Sequence, residues 1–291
     1  MATITAWVQG ARPRTLPNAV APVVVGAGAA AELGAFSWLR STLALIVALA
    51  LIVGVNYAND YSDGVRGTDD DRVGPLRLVA SGTVEPKSVL AAALSSFVLA
   101  CIAGLALVIL SGAWWLIAVG ATCVGGAWFY TGGKRPYGYA GLGEIAVFVF
   151  FGLAAVLGTV YVQAGTASLL ALGSAVAVGA FSSAVLLANN LRDIPSDAEA
   201  GKRTLAVKLG DVGTRRLYLA LVIIPFAVTV AMAFALPPVL LATITALALI
   251  RPVRTVLSRA TGRALIPVLA DTGLALLLWA VVTGAVLAAA P

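Results

Sequence analysis

Two polar segments stand out in a chain of 291 residues that is otherwise largely apolar. The first, residues 56–77, reads NYANDYSDGVRGTDDDRVGPLR, and the second, residues 188–210, reads ANNLRDIPSDAEAGKRTLAVKLG. A helix advances about 100° per residue, so the Asn and Asp side chains of each segment fall on one helix face. The predicted stripes are Asn56, Asn59, Asp60 and Asp63 in the first segment and Asn189, Asn190 and Asp193 in the second. Asp197 extends the second stripe if Pro195 leaves the helix intact.

These stripes offer oxygen donors, and the chain contains no histidine. Converging carboxylate and amide oxygens select a hard cation such as Mg²⁺, which binds through one or two carboxylates and substrate phosphates and keeps several waters. Neighbouring Lys and Arg side chains suit those phosphates. The segments therefore predict a site for a Mg²⁺-bound diphosphate. The candidate metal ligands are Asn59, Asp60, Asp63, Asn189, Asp193 and Asp197.

Further side chains are expected to complete the site. We expect catalysis to depend on Asp60, Asp63, Asp193, Asp197 and Lys134. The candidate substrate-binding residues are Asn56, Arg66, Arg72, Arg77, Tyr130, Lys134, Arg135, Tyr137, Tyr139, Asn190, Arg192 and Lys202. The tyrosines suit a ring or a cation through cation–π contact, although tyrosine is common at membrane interfaces in any case.

The elements that position these residues are predicted to be membrane helices. The chain is 60% hydrophobic and 11% charged, whereas soluble domains are about 25% charged. A spanning helix needs about 20 mostly apolar residues. Nine candidates fall near 15–33, 41–60, 87–110, 113–131, 142–163, 167–190, 213–235, 237–250 and 266–289. The fold class predicted is all-α, a polytopic membrane protein of nine transmembrane helices bundled around a central pocket.

The charged residues fall almost entirely on one side of the predicted membrane helices. With a cytoplasmic N-terminus and nine spans, all of the 19 Lys and Arg residues except Arg40 lie on the cytoplasmic side. The acids follow, with Glu32 the exception among 13. We therefore expect a multi-pass protein of the cell membrane, with an outside C-terminus and a site that faces the cytoplasm. The bilayer is an expected partner and nucleic acid is not.

A short internal match suggests two halves. Ala58-Asn59-Asp60-x-x-Asp63 resembles Ala188-Asn189-Asn190-x-x-Asp193, at the same end of helices that lie four spans apart. Parallel repeats of this kind place their binding site at the interface between the repeats. We predict one domain, 1–291, built from halves at about 12–131 and 142–250 and a last helix.

A diphosphate clamp at the edge of a membrane implies an amphiphilic substrate, and a polyprenyl diphosphate fits. At these residues the chain resembles the UbiA superfamily of intramembrane prenyltransferases, which has nine helices and the motifs N-D-x-x-D-x-x-x-D and D-x-x-x-D. Asn59-Asp60-x-x-Asp63 matches the first motif, and Asp193-x-x-x-Asp197 matches the second. Gly67 stands where the first motif ends in Asp, and we expect Asp69, Asp70 or Asp71 to supply that acid.

Within the superfamily, five segments are similar to the 1,4-dihydroxy-2-naphthoate polyprenyltransferases, the MenA group. They are GARPRTLPNAVAPVVVG (10–26), residues 56–82, YTGGKRPYGYAGLGE (130–144), NNLRDIPSD (189–197) and IPVLADTGL (266–274). The resemblance implies polyprenyl diphosphate and 1,4-dihydroxy-2-naphthoate as substrates and demethylmenaquinone, CO₂ and diphosphate as products. Arg77 and Lys134 are our candidates to bind the naphthoate carboxylate.

Three alternatives remain open. Another aromatic acceptor, such as 4-hydroxybenzoate, would use the same site. Asp60-x-x-Asp63-Gly64 also matches the start of the CDP-alcohol phosphotransferase motif, but the later Gly and Asp of that motif are missing. A transporter would explain intramembrane acids, yet here the acids cluster at one face rather than at mid-membrane.

Overall fold

The computed structural model describes residues 3–68 and 76–290, and in those residues all regular structure is helical. The ten helices described are α1 Ile4–Gly10, α2 Pro17–Glu32, α3 Trp38–Arg66, α4 Pro86–Ser111, α5 Leu116–Phe129, α6 Gly143–Ala164, α7 Leu169–Glu199, α8 Leu205–Met232, α9 Pro237–Leu257 and α10 Ile266–Ala288. Seven of them, α3, α4 and α6–α10, are long and apolar enough to cross a membrane.

The nine predicted segments each overlap one helix of α2–α10, and α1 is an additional short helix that we did not predict. By length, α2 with 16 residues and α5 with 14 residues fall short of a full span. The prediction of nine spans is therefore not established by the helices themselves. The boundaries also differ, because α3 and α7 continue beyond the apolar run into their polar segments.

Small residues allow the helices to approach closely. Helix α7 is the most enclosed of the long helices, with α8 and α6 packed against it, while α2 packs against α10 and α3 against α4. A Cβ on Gly28 of α2 would lie 2.2 Å from the carbonyl oxygen of Gly284 in α10. A Cβ on Gly152 of α6 would lie 2.5 Å from the Cα of Gly179 in α7. Membrane helices associate through such small-residue contacts, since lipid provides no hydrophobic drive for association.

The two helices that carry the polar stripes end differently. Helix α3 stops at Arg66 because Gly67 adopts a left-handed conformation, with φ of 71°. Helix α7 instead continues through Pro195 as far as Glu199. Asp193 and Asp197 therefore lie one turn apart on the same face of α7.

Helix α6 is irregular in its middle. Residues Phe148–Ala154 form a π-helical stretch between the α-helical parts Gly143–Val147 and Ala155–Ala164. A π-helical turn inserts an extra residue and rotates the side chains that follow, and such turns are frequent at functional sites. Here the stretch lies beside the cavity described below.

Arg40, the exception to the charge sorting, binds helix ends. Its guanidinium donates to the carbonyl oxygens of Val162 at 3.0 Å, Gln163 at 3.2 Å and Leu110 at 2.7 Å. These carbonyls belong to the last turns of α6 and α4, where no intrahelical donor remains. Arg40 therefore joins the start of α3 to the ends of two other helices.

Candidate active site

Both polar stripes line one cavity of about 690 Å³. Helices α3 and α7 contribute its polar end, and the 130–139 loop and the stretch before α2 close the same end. The predicted site residues that line the cavity are Asn56, Asn59, Asp63, Arg77, Tyr130, Tyr137, Tyr139, Asn189, Asn190, Arg192, Asp193, Asp197 and Lys202. The structure thus brings together two segments that lie far apart in the sequence.

Lys202 connects the two stripes. Its ammonium lies 3.7 Å from an Asp63 carboxylate oxygen of α3 and 4.0 Å from an Asp197 carboxylate oxygen of α7. Lys202 and Asp63 are both buried, so water weakens their attraction little. Arg77 approaches the same Asp63 carboxylate at 4.0 Å. Anionic and cationic groups therefore share the polar end of the cavity, as a metal-bound phosphate requires.

Tyr139 contacts these charged side chains. Its hydroxyl donates a hydrogen bond to Asp63, and its ring centroid lies 4.9 Å from the Lys202 ammonium and 5.6 Å from the Arg66 guanidinium carbon. Burial, followed by the charge of Asp63, raises the pKa of Tyr139. Burial also raises the pKa of Tyr137 to about 12. Both phenols are therefore neutral near pH 7, and they act as hydrogen-bond donors and aromatic surfaces rather than as bases.

The α7 stripe is held by its own arginine. Arg192 donates from Nε to Asp193 at 2.6 Å and from Nη2 to Asp193 at 2.7 Å, and its Nη2 also reaches Asn189 at 2.7 Å. This two-point contact fixes the Asp193 carboxylate in the cavity wall. Asn190 donates to the Glu144 carboxylate at 2.8 Å. Glu144, buried at the start of α6, does not line the cavity but holds the lining residue Asn190, a contact that the stripes do not indicate.

Asp60 departs from the expected arrangement. Its two carboxylate oxygens accept hydrogen bonds from the backbone amides of Leu78 and Val79, each at 2.9 Å. Asp60 is almost fully buried and does not line the cavity, whereas its neighbour Asn59 does. Asp60 thus anchors the chain that follows the polar segment, and its role as a metal ligand stays a prediction.

Four of the Lys and Arg residues predicted to bind substrate either do not line the cavity or lie outside the described residues. Lys134 and Arg135 are exposed and do not line the cavity. Arg66 donates to the carbonyl oxygens of Thr131 and Gly133, and so fixes the loop after α5. Arg72 lies outside the described residues, as do the candidate acids Asp69, Asp70 and Asp71.

The stretch before α2 and the first turn of α2 supply residues that the stripes did not indicate. Arg12, Arg14, Thr15 and Asn18 line the polar end, and Asn56 donates to Thr15 at 3.1 Å. Asn18 is buried, and its Oδ1 has no hydrogen-bond partner among the described residues. The available signals were the charged GARPRTLPN run and a lone Asn that opens an apolar helix, where such a residue is costly.

The donor atoms fit a hard divalent cation. Asn59, Asp63, Asn189, Asp193 and Asp197 offer carboxylate and amide oxygens, which Mg²⁺ prefers over nitrogen and sulfur. Among the described residues, no three acidic, His or Cys side chains are close enough to hold a metal by themselves. A metal bound here would share its coordination with waters and substrate phosphate, which is the usual arrangement for Mg²⁺.

An all-helical bundle of apolar helices, with a cavity that has a charged mouth and an apolar interior, is typical of a membrane protein with an internal binding site. The chain belongs to the UbiA prenyltransferase family, whose model matches residues 19–265.

Relatives and solved structures agree with this assignment. The chain is 58% identical over 288 residues to a 1,4-dihydroxy-2-naphthoate octaprenyltransferase of Mycobacterium tuberculosis, covering 99% of this chain and 98% of that protein. It is 45% identical over 222 residues to the enzyme of that name in Escherichia coli, covering 74% and 72%. A UbiA homolog from Archaeoglobus fulgidus bound to GPP and Mg²⁺ has a similar fold, with a TM-score of 0.69 at 15% identity, covering 97% and 99%.

Proposed function

We propose that this chain transfers a polyprenyl group from a polyprenyl diphosphate to 1,4-dihydroxy-2-naphthoate, with loss of CO₂ and diphosphate, to give demethylmenaquinone in its reduced, hydroquinone form. The observation that carries the proposal is the single cavity that joins a charged mouth to an apolar interior. The near full-length similarity to enzymes named for this reaction supports the choice of acceptor.

The charged mouth binds the diphosphate in this scheme. Asn59 and Asp63 of α3, with Asn189, Asp193 and Asp197 of α7, would hold Mg²⁺, which neutralises the phosphates and stabilises diphosphate as it leaves. Lys202 and Arg77 contact the phosphate oxygens from the same end. Lys202 is the more central of the two, because it already lies between the Asp63 and Asp197 carboxylates.

The reaction needs a stabilised allylic cation and an electron-rich ring. The bond between the first prenyl carbon and the diphosphate oxygen breaks, and the ring carbon that bears the carboxylate attacks that prenyl carbon. The carboxylate leaves as CO₂, and its bonding electrons restore the aromatic ring. The neutral rings of Tyr130, Tyr137 and Tyr139 line the cavity, where their faces favour a cation.

The acceptor occupies the side of the mouth formed by the stretch before α2 and the first turn of α2. Asn18 offers an Oδ1 that accepts a naphthoate hydroxyl, and Arg14 offers a positive charge for the carboxylate. Of the two bases predicted for that carboxylate, Arg77 lines the cavity and exposed Lys134 does not. An Asn18→Ala variant is expected to raise KM for the naphthoate and to leave KM for the prenyl donor unchanged.

The proposed setting is the cell membrane, with α2–α10 as nine spans, the N-terminus and site cytoplasmic, and the C-terminus outside. A 3₁₀ turn, Pro13–Thr15, precedes α2 and lengthens that short helix. The sorting of Lys and Arg supports the orientation. The chain is one domain with halves at about 12–131 and 142–250 and a last helix, and the equivalent packing of α3 on α4 and of α7 on α8 supports this division.

The experiment is an assay of purified protein in detergent or vesicles, with radiolabelled prenyl diphosphate and a panel of aromatic acids. Labelled CO₂ released from carboxyl-labelled dihydroxynaphthoate, in a one-to-one ratio with prenylated product, is expected. A chelator should abolish the reaction, and added Mg²⁺ should restore it. If the protein prefers 4-hydroxybenzoate, the proposed acceptor is wrong and the proposed donor stands. If no acid gives a product, the whole proposal is overturned.

A further inference from the structure

The cavity continues from its charged mouth along one face of α3. From Asp63 and Asn59 the lining passes to Val55, Ile52 and Ala48, so polar residues give way to apolar ones. A helix rises about 1.5 Å per residue, which separates Ala48 from Asp63 by about 22 Å. The apolar part, from Val55 to Ala48, accounts for about 10 Å of this length, which is more than one isoprene unit needs.

Helices α5 and α6 form the rest of this apolar wall. Helix α5 contributes Cys123 and Ala127, and α6 contributes Phe150, Phe151 and Ala155. On the other side of the cavity, the described lining residues of α10 are Ile266 and Leu269 in its first turn, and the lining of α2 ends at Pro22. The deep part of the cavity thus lies between α3, α5 and α6.

Phe150 lines that path at a defined depth. A Cβ on Gly126 of α5 would lie 2.6 Å from the Cζ of Phe150, so the ring rests directly on the glycine. Gly126 precedes Thr131 by five residues, and the Thr131 hydroxyl donates to Asn59 at 2.6 Å. The contact between Phe150 and Gly126 therefore lies about 7 Å deeper than the polar residues at Asn59.

The π-helical stretch of α6 explains why the ring points there. Phe148 packs on α7, where a Cβ on Gly179 would lie 2.8 Å from the Phe148 ring, while Phe150 and Phe151 both line the cavity. The Tyr137 hydroxyl donates to the Gly126 carbonyl oxygen at 2.7 Å and holds that turn of α5. Both partners in the contact are therefore fixed by neighbouring elements.

We infer that the prenyl tail lies along α3 between α5 and α6, and that Phe150, seated against Gly126, sets how long a tail the cavity admits. The inference rests on the proposed function for the identity of the ligand. A tail of one isoprene unit ends above Phe150, whereas a longer tail has to pass it. Phe150 is in this sense a specificity-determining residue rather than a catalytic one.

Substitution of Gly126 tests this directly. In Gly126→Ala the new methyl group displaces the Phe150 ring into the cavity. We expect kcat/KM with octaprenyl diphosphate to fall about tenfold, which matches about 1–2 kcal/mol of overpacking. Turnover with dimethylallyl diphosphate should change less than twofold. Phe150→Leu in the same chain should restore use of the long donor.

Gly125→Ala is the matched control, because a Cβ at Gly125 meets no atom within 4 Å and the residue does not line the cavity. It should leave both donors unaffected. Equal losses for the short and long donors in Gly126→Ala, or the same selectivity change in Gly125→Ala, would overturn the inference. If Gly126→Ala does not fold, the single variant Phe150→Leu tests the inference. Its kcat/KM for the long donor should rise relative to that for the short donor, and an unchanged ratio would contradict the inference.

A binding experiment separates the inference from the proposed function. Geranylgeranyl diphosphate with a diazirine at its tail end should cross-link to residues 48–55, 123–127 and 150–155. Cross-links to Ile266, Leu269 or Pro22 instead would place the tail on the opposite side and contradict the inference. Because cross-linking needs binding but no turnover, the expected cross-links with no naphthoate product would refute the proposed function and leave the tail path standing.

Discussion

Among single residues, Asp63 interacts with side chains from several parts of the site. It receives the Tyr139 hydroxyl, lies near Lys202 and Arg77, and lines the cavity. Asp193 has the equivalent place on α7, fixed by Arg192. Their carboxylates are thus held in fixed orientations in the cavity wall, where we propose that the metal-bound diphosphate binds.

Asp63→Asn and Asp193→Asn should each lower kcat/KM about 30-fold or more, equivalent to at least about 2 kcal/mol of transition-state stabilisation. The amide keeps the shape but removes the charge that the metal needs. Steady-state kinetics at saturating Mg²⁺ measures the loss, and unchanged thermal stability in detergent confirms that folding is intact. Near-normal turnover in either variant would remove that residue from the proposed metal site.

Asp60 should behave differently from Asp63, although both belong to the same sequence motif. Asp60→Asn exchanges one of two backbone-bound oxygens for an amide donor that faces the amide of Leu78 or Val79. We expect a loss of about 1–3 kcal/mol in unfolding free energy, because a buried amide is left without its acceptor. Thermal unfolding in detergent, with Asp63→Asn as the matched variant, measures this. An unfolding temperature equal to that of Asp63→Asn would contradict the anchoring role.

Gly67 stands where the motif has an acid, and the residue that replaces this acid remains a prediction, because the candidates lie outside the described residues. Because α3 ends at Gly67, no side chain continues the stripe one turn beyond Asp63. We predict that one of Asp69, Asp70 and Asp71 supplies the ligand. Of the three single Ala variants, one should lose most of its activity, and high Mg²⁺ should restore part of that activity. Wild-type Mg²⁺ dependence in all three, and in the triple variant, would show that the loop is merely solvated.

Among the helices, Arg40 of α3 joins the ends of α4 and α6 on the side of the bundle away from the site. Arg40→Met keeps most of the side-chain volume and removes donors to Leu110, Val162 and Gln163. We expect a loss of about 1–3 kcal/mol in stability, since these helix-end carbonyls lose their donor. KM for both substrates should stay unchanged. Exposed Arg135→Met is the control, and equal unfolding temperatures for the two variants would argue against the role of Arg40.

The helices also explain which parts of the site the sequence could predict. The stripes on α3 and α7 follow from helical periodicity, and the break at Gly67 follows from its lack of a side chain. The role of Glu144 could not be inferred in this way, because its partner Asn190 lies on another helix. The π-helical stretch of α6 leaves no signal in the local pattern of apolar residues.

For the whole molecule, topology is the open prediction. In a chain with Cys101→Ser and Cys123→Ala, a cysteine at Glu199, after the site end of α7, should react with membrane-impermeant maleimide only from the cytoplasmic side. A cysteine at Thr166, between α6 and α7, should react only from outside. Both residues are exposed, so labelling tests orientation rather than burial. Reaction of both positions from one side would overturn the nine-span arrangement.

The sequence by itself determined the membrane character, the helix positions and the two polar stripes, because hydropathy and periodicity are properties of neighbouring residues. Tertiary structure alone decided which polar residues face the cavity. Asn59 lines it and adjacent Asp60 does not, because the packing of α3 against the Leu78–Val79 turn fixes the rotation of that helix. The place of Lys202 between Asp63 and Asp197 was likewise decided only where α3 and α7 converge, since charge attraction acts between residues that no local pattern relates.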